Sequence, residues 1–395
     1  MDNPTPLSKP AYSLRQLLIY FLKLGSTGFG GPVALVGYMH RDLVEQRKWI
    51  SEEEYKEGLT LAQLMPGPLA AQLGIYLGYV HYGVLGSTLT GIAFVLPSFI
   101  MVVLLGIAYK LYEGLLWMQA VFYGVGAAVI GIIIMSVYKL TIKSLSKLNA
   151  KAIKKSWLLW LFYLIAIVVT VITEREEVLL FIIAGFVYMI VKAPPAFMKK
   201  TGAANFILIA DIGFWQFEAG TLGKLGLFFM EAGAFVFGSG LAIIPFLHGG
   251  VVNEYGWLNE QQFIDSVVVA MITPGPVVIT VGFIGYLVAG FPGAVVASLA
   301  IFLPCYLLTV LPAPYFKKIA KNNSIKGFVD GITAAVIGAL VGAVIVIAIR
   351  TISDVFTALI AISTITVLIY FKKVQEPYII VIAALLGLLI KNNFL

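Results

Sequence analysis

Two Pro-Gly-Pro triplets, Pro66-Gly67-Pro68 and Pro274-Gly275-Pro276, sit inside apolar stretches. Proline has no amide hydrogen and its ring clashes with the carbonyl one turn behind, so each triplet breaks a helix. In hydrocarbon the freed backbone groups are costly, and such breaks survive only when buried in protein or lining a wet cavity. A half-helix starting at Pro68 or Pro276 aims free amides and the positive end of its dipole at the break, where they can hold an anion. Gln63, Gln72, Thr273 and Thr280 flank the breaks and could donate to an oxyanion. The alternative is a pair of kinks that serve packing alone.

A second pair of motifs is rich in glycine. Gly25-Ser26-Thr27-Gly28-Phe29-Gly30-Gly31-Pro32 has the counterpart Gly233-Ala234-Phe235-Val236-Phe237-Gly238-Ser239-Gly240. No strand precedes either stretch and no Lys-Ser/Thr follows, so a nucleotide-phosphate loop is rejected. Two readings stay open. The glycines permit close helix contact, or they unwind the helix so that amides around Gly28, Gly30, Gly31, Gly238 and Gly240 face a ligand with the Ser26, Thr27 and Ser239 hydroxyls.

Charges inside apolar segments are candidates for function. Lys23 has Glu231 as its counterpart, which gives either a structural ion pair or an anion attractor with a proton acceptor. Glu57 and Asp265 are equivalent, each near the start of a Pro-Gly-Pro segment, and are either helix-start charges or coupling acids. His40 and His248 lie where the first segment of each half ends and read as interfacial residues or proton shuttles. No catalytic constellation accompanies them, so an enzyme is not expected. Cys305 is the only cysteine and the three histidines lack ligand spacing, so neither a metal nor another cofactor is expected. The chain carries no nucleotide-hydrolysis motif, so uphill transport would run on an ion gradient or a counter-anion.

The elements that must position these residues follow from composition. The 395 residues are 60% hydrophobic and 12% charged, with mean hydropathy +0.96, against roughly 25% charge in a soluble domain. Too little polar surface remains to face water, which makes this an all-α integral membrane protein with the bilayer as its main partner. The net charge of +7 fits lysine- and arginine-rich cytoplasmic loops, and nucleic acid is not expected as a partner.

The chain is duplicated. Trp49 and Trp257 stand 208 residues apart, and the same offset relates Gly25 to Gly233, His40 to His248, Glu52 to Glu260, Gly74 to Gly282 and the two triplets. With one residue removed, Gly124-x-x-Ala-Ala-Val-Ile-Gly131 matches Gly331-x-x-Ala-Ala-Val-Ile-Gly338. Twelve apolar segments result: near 14–39, 58–80, 84–109, 115–138, 157–172 and 178–191, then 223–247, 263–289, 293–312, 328–349, 355–370 and 377–390. The first repeat is bounded at 12–191, the linker at 192–222 and the second repeat at 223–395.

Loop charges orient the halves. The loop after segment 1 is basic in the first half (Arg41, Arg47, Lys48) and carries no Lys or Arg in the second. After segment 3 the bias reverses, with Lys110 against Lys317, Lys318, Lys321 and Lys326. After segment 4 it reverses again, with six lysines from Lys139 to Lys155 against Arg350. The halves therefore read as inverted. Two crossings between the first and third loops would return the chain to one side, so one segment does not cross. This predicts segment 2 of each half as a re-entrant hairpin closed by Pro-Gly-Pro, leaving about ten spanning helices. It also places the N-terminus outside, unless segment 1 is itself broken at Gly28–Pro32.

Leu24-Gly-x-x-x-Phe29-Gly-Gly-Pro32, the Trp49 loop and Met65-Pro-Gly-Pro68 with Gly74, each echoed in the second half, resemble the chromate transporter family in its long two-domain form. The resemblance covers nearly the whole chain. It implies a multi-pass protein of a bacterial or archaeal cell membrane that exports chromate and confers resistance, with sulfate as a close analogue and a homodimer left open. The second half departs from the pattern with Gly238-Ser239-Gly240 in place of Gly-Gly-Pro. An anion channel on the same scaffold and a scaffold or receptor without transport are the other functions compatible with the sequence.

Overall fold

The computed structural model describes residues 12–29, 31–112, 116–145, 156–174, 177–192, 194, 220–235, 237–238, 243–316, 322–371, 374 and 376–393. The first helix, α1 (Leu14–Thr27), starts on a capping box in which Ser13 accepts from the Gln16 amide. It ends at Gly28, whose backbone is extended (φ −81°, ψ 98°). The chain resumes as α2 (Gly31–Met39) and continues into a π-helical turn, His40–Gln46.

Segment 1 does not run straight. Tyr12 stacks on Trp49 at 4.8 Å, Tyr20 donates to the Asp42 carboxylate at 3.4 Å, and the Arg47 guanidinium lies over the Tyr20 ring. The two ends of the segment lie together, so the expectation of a continuous span over 14–39 is corrected. The reason is local: glycine and proline from 28 to 32 cost helix stability, and the chain leaves helical geometry at Gly28.

The second segment also folds back. Helix α3 (Glu52–Leu64) begins on a Ser51–Glu54 capping box, and the two-residue strand β1 (Gly67–Pro68) precedes α4 (Leu69–Tyr112). Residues 69–82 return along α3: Tyr76 donates to the Glu57 carboxylate at 3.3 Å, and His81 Nε2 lies 3.4 Å from Glu54. Each arm is roughly 20 Å long at 1.5 Å per residue, short of the ~30 Å hydrocarbon core. At Gly83 (φ 57°, ψ −148°) the chain reverses into a second leg, 84–112, long enough to cross. The legs touch because a side chain at Gly86 would lie 2.2 Å from the Gly78 carbonyl.

Three helices complete the first half: α5 (Leu116–Leu145), α6 (Trp157–Thr173) and α7 (Val178–Lys192). The second half repeats the order as α8 (Thr221–Phe235), β2 (Phe237–Gly238), α9 (Ile243–His248), a π-helical turn (Gly249–Glu254), α10 (Glu260–Ile272), a 3-10 turn (Val277–Ile279) and α11 (Thr280–Val310). Then come α12 (Asn323–Thr351), α13 (Val355–Tyr370) and α14 (Glu376–Asn393). Within α11 the reversal is at Ala289–Gly290, with Gly290 at φ 64°, matching Gly83.

The halves interleave. Helix α12 packs on α6 and α7 of the first half, while α5 packs on α13 and α14 of the second. Close approach at the repeated glycines makes this possible: a side chain at Gly124 would meet the Ala383 carbonyl at 2.1 Å, and one at Gly331 the Ala184 carbonyl at 2.5 Å. The duplicated Gly-x-x-Ala-Ala-Val-Ile-Gly motif is thus a helix-contact device of the kind membranes favour. Among the described residues, four helices are long and apolar enough to cross a membrane, in α4, α5, the 277–315 stretch and α12. Large side chains such as Leu85, Ile172, Leu299 and Ile349 lie exposed on the outside, which is a surface for lipid.

Candidate functional site

The two Pro-Gly-Pro breaks meet the two glycine breaks crosswise. Strand β1 at the first triplet pairs in parallel with β2 of the second half, Gly67 opposite Phe237 and Pro68 opposite Gly238. The Gly275 amide of the second triplet donates to the Gly28 carbonyl of the first half at 2.9 Å. Both are one pairing seen twice, because adding 208 to Gly67 gives Gly275 and to Phe29 gives Phe237. Each half therefore supplies its Pro-Gly-Pro to the other half's glycine stretch.

Only glycine suits the centre of each triplet. Gly67 has φ 140° and Gly275 φ 96°, values that strain any L side chain. Space is closed as well: a side chain at Gly67 would lie 2.7 Å from Gln72 Nε2, and one at Gly275 2.1 Å from Ser98 Oγ.

The carbonyls freed by the prolines are met by different donors. Gln72 Nε2 donates to the Pro66 carbonyl at 2.7 Å within one hairpin. Ser98, fully buried on the second leg of the first half, donates to the Pro274 carbonyl at 2.8 Å, with the Gly25 carbonyl at 3.3 Å as the longer alternative. Sequence reasoning did not single out Ser98. The signal was available: Pro97-Ser98 recurs 207 residues later as Pro304-Cys305. Cys305 is fully buried and its Cβ borders Gly67, as Ser98 borders Gly275.

A cavity of about 10 Å³ lies where the breaks meet, lined by Pro32, Leu35, Pro68, Ala70, Gly275 and Pro276 among others. That is room for about one water and none for a tetrahedral dianion, so binding one requires the hairpins to part.

Not all expected donors reach this centre. Gln63 is exposed on α3. Ser26 and Thr27 are exposed at the end of α1 and donate to the Leu22 and Lys23 carbonyls of their own helix. Thr273 and Thr280 are buried beside the second break, donating to the Ala270 and Val277 carbonyls. Gly31 opens α2, whereas Gly30, Ser239 and Gly240 fall outside the described residues.

The charges separate. Lys23 is exposed on α1, and among the described residues no ion pair joins it to Glu231 on α8. Glu57 borders a surface pocket of about 580 Å³ with Glu52, Glu53, Lys56, Thr60 and Phe316. Its equivalent Asp265 is sealed, accepting from Tyr109 at 2.6 Å and from Gln261 at 2.8 Å. His40 and His248 pin matching corners: His40 Nε2 lies 2.9 Å from Glu52, and His248 Nε2 lies 2.7 Å from Glu260. Arg350 reinforces the second corner, donating to Glu260 at 2.6 Å, to Asn253 at 2.9 Å and to Glu174 of the first half. Burial pushes the Glu260 carboxyl up, but the His248 and Arg350 hydrogen bonds outweigh it and hold the group below its ordinary range.

The chromate transporter family matches residues 15–190 and 223–388. The chain is 61% identical to a chromate transport protein of Cupriavidus metallidurans, over 96% of this chain and 94% of the relative. It is 60% identical to a probable chromate transport protein of Synechococcus elongatus, over 96% of each. A chromate transport protein of Pseudomonas aeruginosa is 29% identical over 87% of this chain and 82% of its own length. No solved structure matches the chain.

Proposed function

Since the chain belongs to the chromate transporter family, we propose that it is a secondary transporter exporting chromate or a sulfate-like oxyanion from the cytoplasm across the cell membrane. The observation that carries this reading is the crosswise junction of the two breaks, Gly67 on Phe237 and Gly275 on Gly28. There the half-helices after Pro68 and Pro276 begin, and the first amides of a helix lack an intrahelical acceptor and can donate to an anion, although the Ile279 amide is already taken by the Pro276 carbonyl at 3.0 Å. Around it, Gly28, Gln72, Gly238, Thr273 and the two triplets form the cradle, with Ser98 and Cys305 behind the glycines. A neutral cradle suits a dianion that must also leave, because a full cationic cage would hold it. The closed cavity favours a transporter that opens and shuts over a standing channel.

The repeats, 12–191 and 223–395, run in inverted orientation with both Pro-Gly-Pro hairpins re-entrant. Support comes from the ends of the molecule. One end gathers Tyr12, Trp49, Glu54 and His81, with Phe316 of the second half beside Glu52. The other gathers Asn253, Glu260 and Arg350 with Glu174 of the first half. The first end carries the basic loops, so it is cytoplasmic. Because segment 1 folds back, four helices of each half cross rather than five. The N-terminus is then cytoplasmic, in keeping with Lys9 and Arg15, and Lys192 and Gly220 fall on opposite faces.

Glu57, open to the cytoplasmic pocket, and Asp265, sealed behind Tyr109, are the candidates for coupling to protons. Radiolabelled chromate and sulfate flux in proteoliposomes, with and without a pH gradient, tests the reading. Flux of either anion that responds to the gradient is expected, and no flux of both would overturn it.

A further inference from the structure

We propose that the second legs of the two hairpins hold a lipid acyl chain between them. Residues 84–112 of α4 and 291–310 of α11 leave a groove of about 630 Å³, with Ala71 and Ile75 of the first hairpin among its lining. Its rims carry Ile92, Leu96, Leu299 and Leu303, each at least 40% exposed. These side chains stand on helices long and apolar enough to cross the membrane, so the groove opens into hydrocarbon.

The lining excludes water. At one end the Thr88 and Tyr306 hydroxyls, 2.6 Å apart, bond to each other, and Thr88 also meets the Val84 carbonyl at 2.8 Å. The other end is aromatic, with Phe99 in edge contact with Phe291. A water needs two to four polar partners, and the walls between these ends offer a single one, the buried and unpaired Ser298 hydroxyl. The occupant is apolar.

Its dimensions suit an acyl chain and not a helix. Thr88 to Phe99 spans roughly 16 Å at 1.5 Å per residue, about half the ~30 Å hydrocarbon core and so one leaflet deep. The volume over that length is a cross-section of about 40 Å², well under that of a helix about 10 Å across. A second copy of this chain would bring a helix, whereas a lipid brings a narrower tail. The Thr88–Tyr306 pair lies near the Gly83 turn, so the tail comes from the leaflet at that end, with its ester beside these hydroxyls. Its position is consequential, because Ala71 and Ile75 lie on the half-helix that starts after Pro68 and carries Gln72.

The proposal rests on membrane embedding alone, and the anion reading can fail independently of it. The test reconstitutes the full chain with phosphatidylcholine bearing a photoreactive group near the tail end, then maps adducts by mass spectrometry after irradiation. Adducts concentrated at the aromatic end, on 95–99 and 291–299, are expected. A spread equal to that on exposed residues of α6, such as Leu164 and Ile172, would overturn it. A Leu299→Cys variant tests the competing occupant, since the native Cys305 is fully buried. The thiol is expected to stay monomeric under oxidation in membranes, and a disulfide-linked dimer would also overturn the proposal.

Discussion

The two Pro-Gly-Pro breaks share a backbone shape and differ in what holds them. Beyond the backbone pairing that both make across the halves, the first takes its side-chain donor from within, as Gln72 of the same hairpin donates to the Pro66 carbonyl. The second is secured from outside, as Ser98 of the first half donates to the Pro274 carbonyl. The same divergence runs through the paired carboxylates. Glu57 takes its tyrosine from its own hairpin at 3.3 Å, while Asp265 takes Tyr109 from the other half at 2.6 Å. Duplication preserved the break, and later substitution redistributed the bonds that position it. The second hairpin is thus tied to the first half by bonds that the first hairpin keeps within itself.

The largest effect should come at the glycine centres. Gly275→Ala places a methyl 2.1 Å from Ser98 Oγ at φ 96°, and Gly67→Ala places one 2.7 Å from the movable end of Gln72 at φ 140°. Backbone strain alone costs about 1–3 kcal/mol at such a position. Gly275→Ala is expected to abolish chromate flux and lower the melting temperature more than Gly67→Ala does. Equal loss in both would remove the distinction drawn here.

Next come the donors. Ser98→Ala leaves the buried Pro274 carbonyl without its partner, a cost of about 1–3 kcal/mol, and Gln72→Ala does the same to the half-buried Pro66 carbonyl at a smaller cost. Ser98→Ala should loosen the second hairpin against the first half, and Gln72→Ala the first hairpin alone. Hydrogen exchange of 273–288 against 65–82 reads the difference. If both variants loosen the same peptide, the assignment of donors is wrong.

Much of this architecture was legible in the sequence, and the misses have physical causes. Loop charges led to the expectation that segment 2 does not cross, since Lys and Arg placement sorts loops by side whatever the fold inside, and the chain does fold back over 52–82. The same signal left segment 1 ambiguous. Its break at Gly28–Pro32 was visible, but nothing local says whether a broken helix continues or returns. That is decided by distant contacts such as Tyr12 on Trp49. The junction of the breaks, the candidate site, was legible where backbone chemistry is compulsory, at proline and glycine, and illegible at Ser98, an ordinary residue made special by a neighbour 176 positions away. Ser26 and Thr27 stand exposed and away from the junction for the converse reason. A hydroxyl near a helix end has a carbonyl of its own turn within reach, and both take it.

Smaller effects should follow at the carboxylates. Tyr109→Phe removes the shorter bond and should reduce flux more than Tyr76→Phe, measured as initial rates in proteoliposomes. The reverse order would break the comparison. The smallest effect concerns pH at the corner of His248, Glu260 and Arg350. The Glu260 carboxyl is held below its ordinary range, so its stabilising contribution is full above the ordinary carboxylate value and is lost as pH falls through the depressed one. Thermal stability should decline on acidification over that window. Arg350→Ala should move the decline to higher pH, and an unchanged profile would assign the acid sensitivity elsewhere.

The central claim is that an oxyanion occupies the junction of the two breaks. Ala70 lines the small cavity there and is buried at the start of α4, so Ala70→Leu would overfill it, pressing on Pro68, Gly275 and Pro276, and deny the space to an anion while both triplets keep their sequence. Equilibrium binding of radiolabelled chromate to the purified protein is the direct measurement. Wild type should bind, and Ala70→Leu, checked for an unchanged melting temperature, should not. Undiminished binding by the filled variant would place the anion elsewhere and contradict the account.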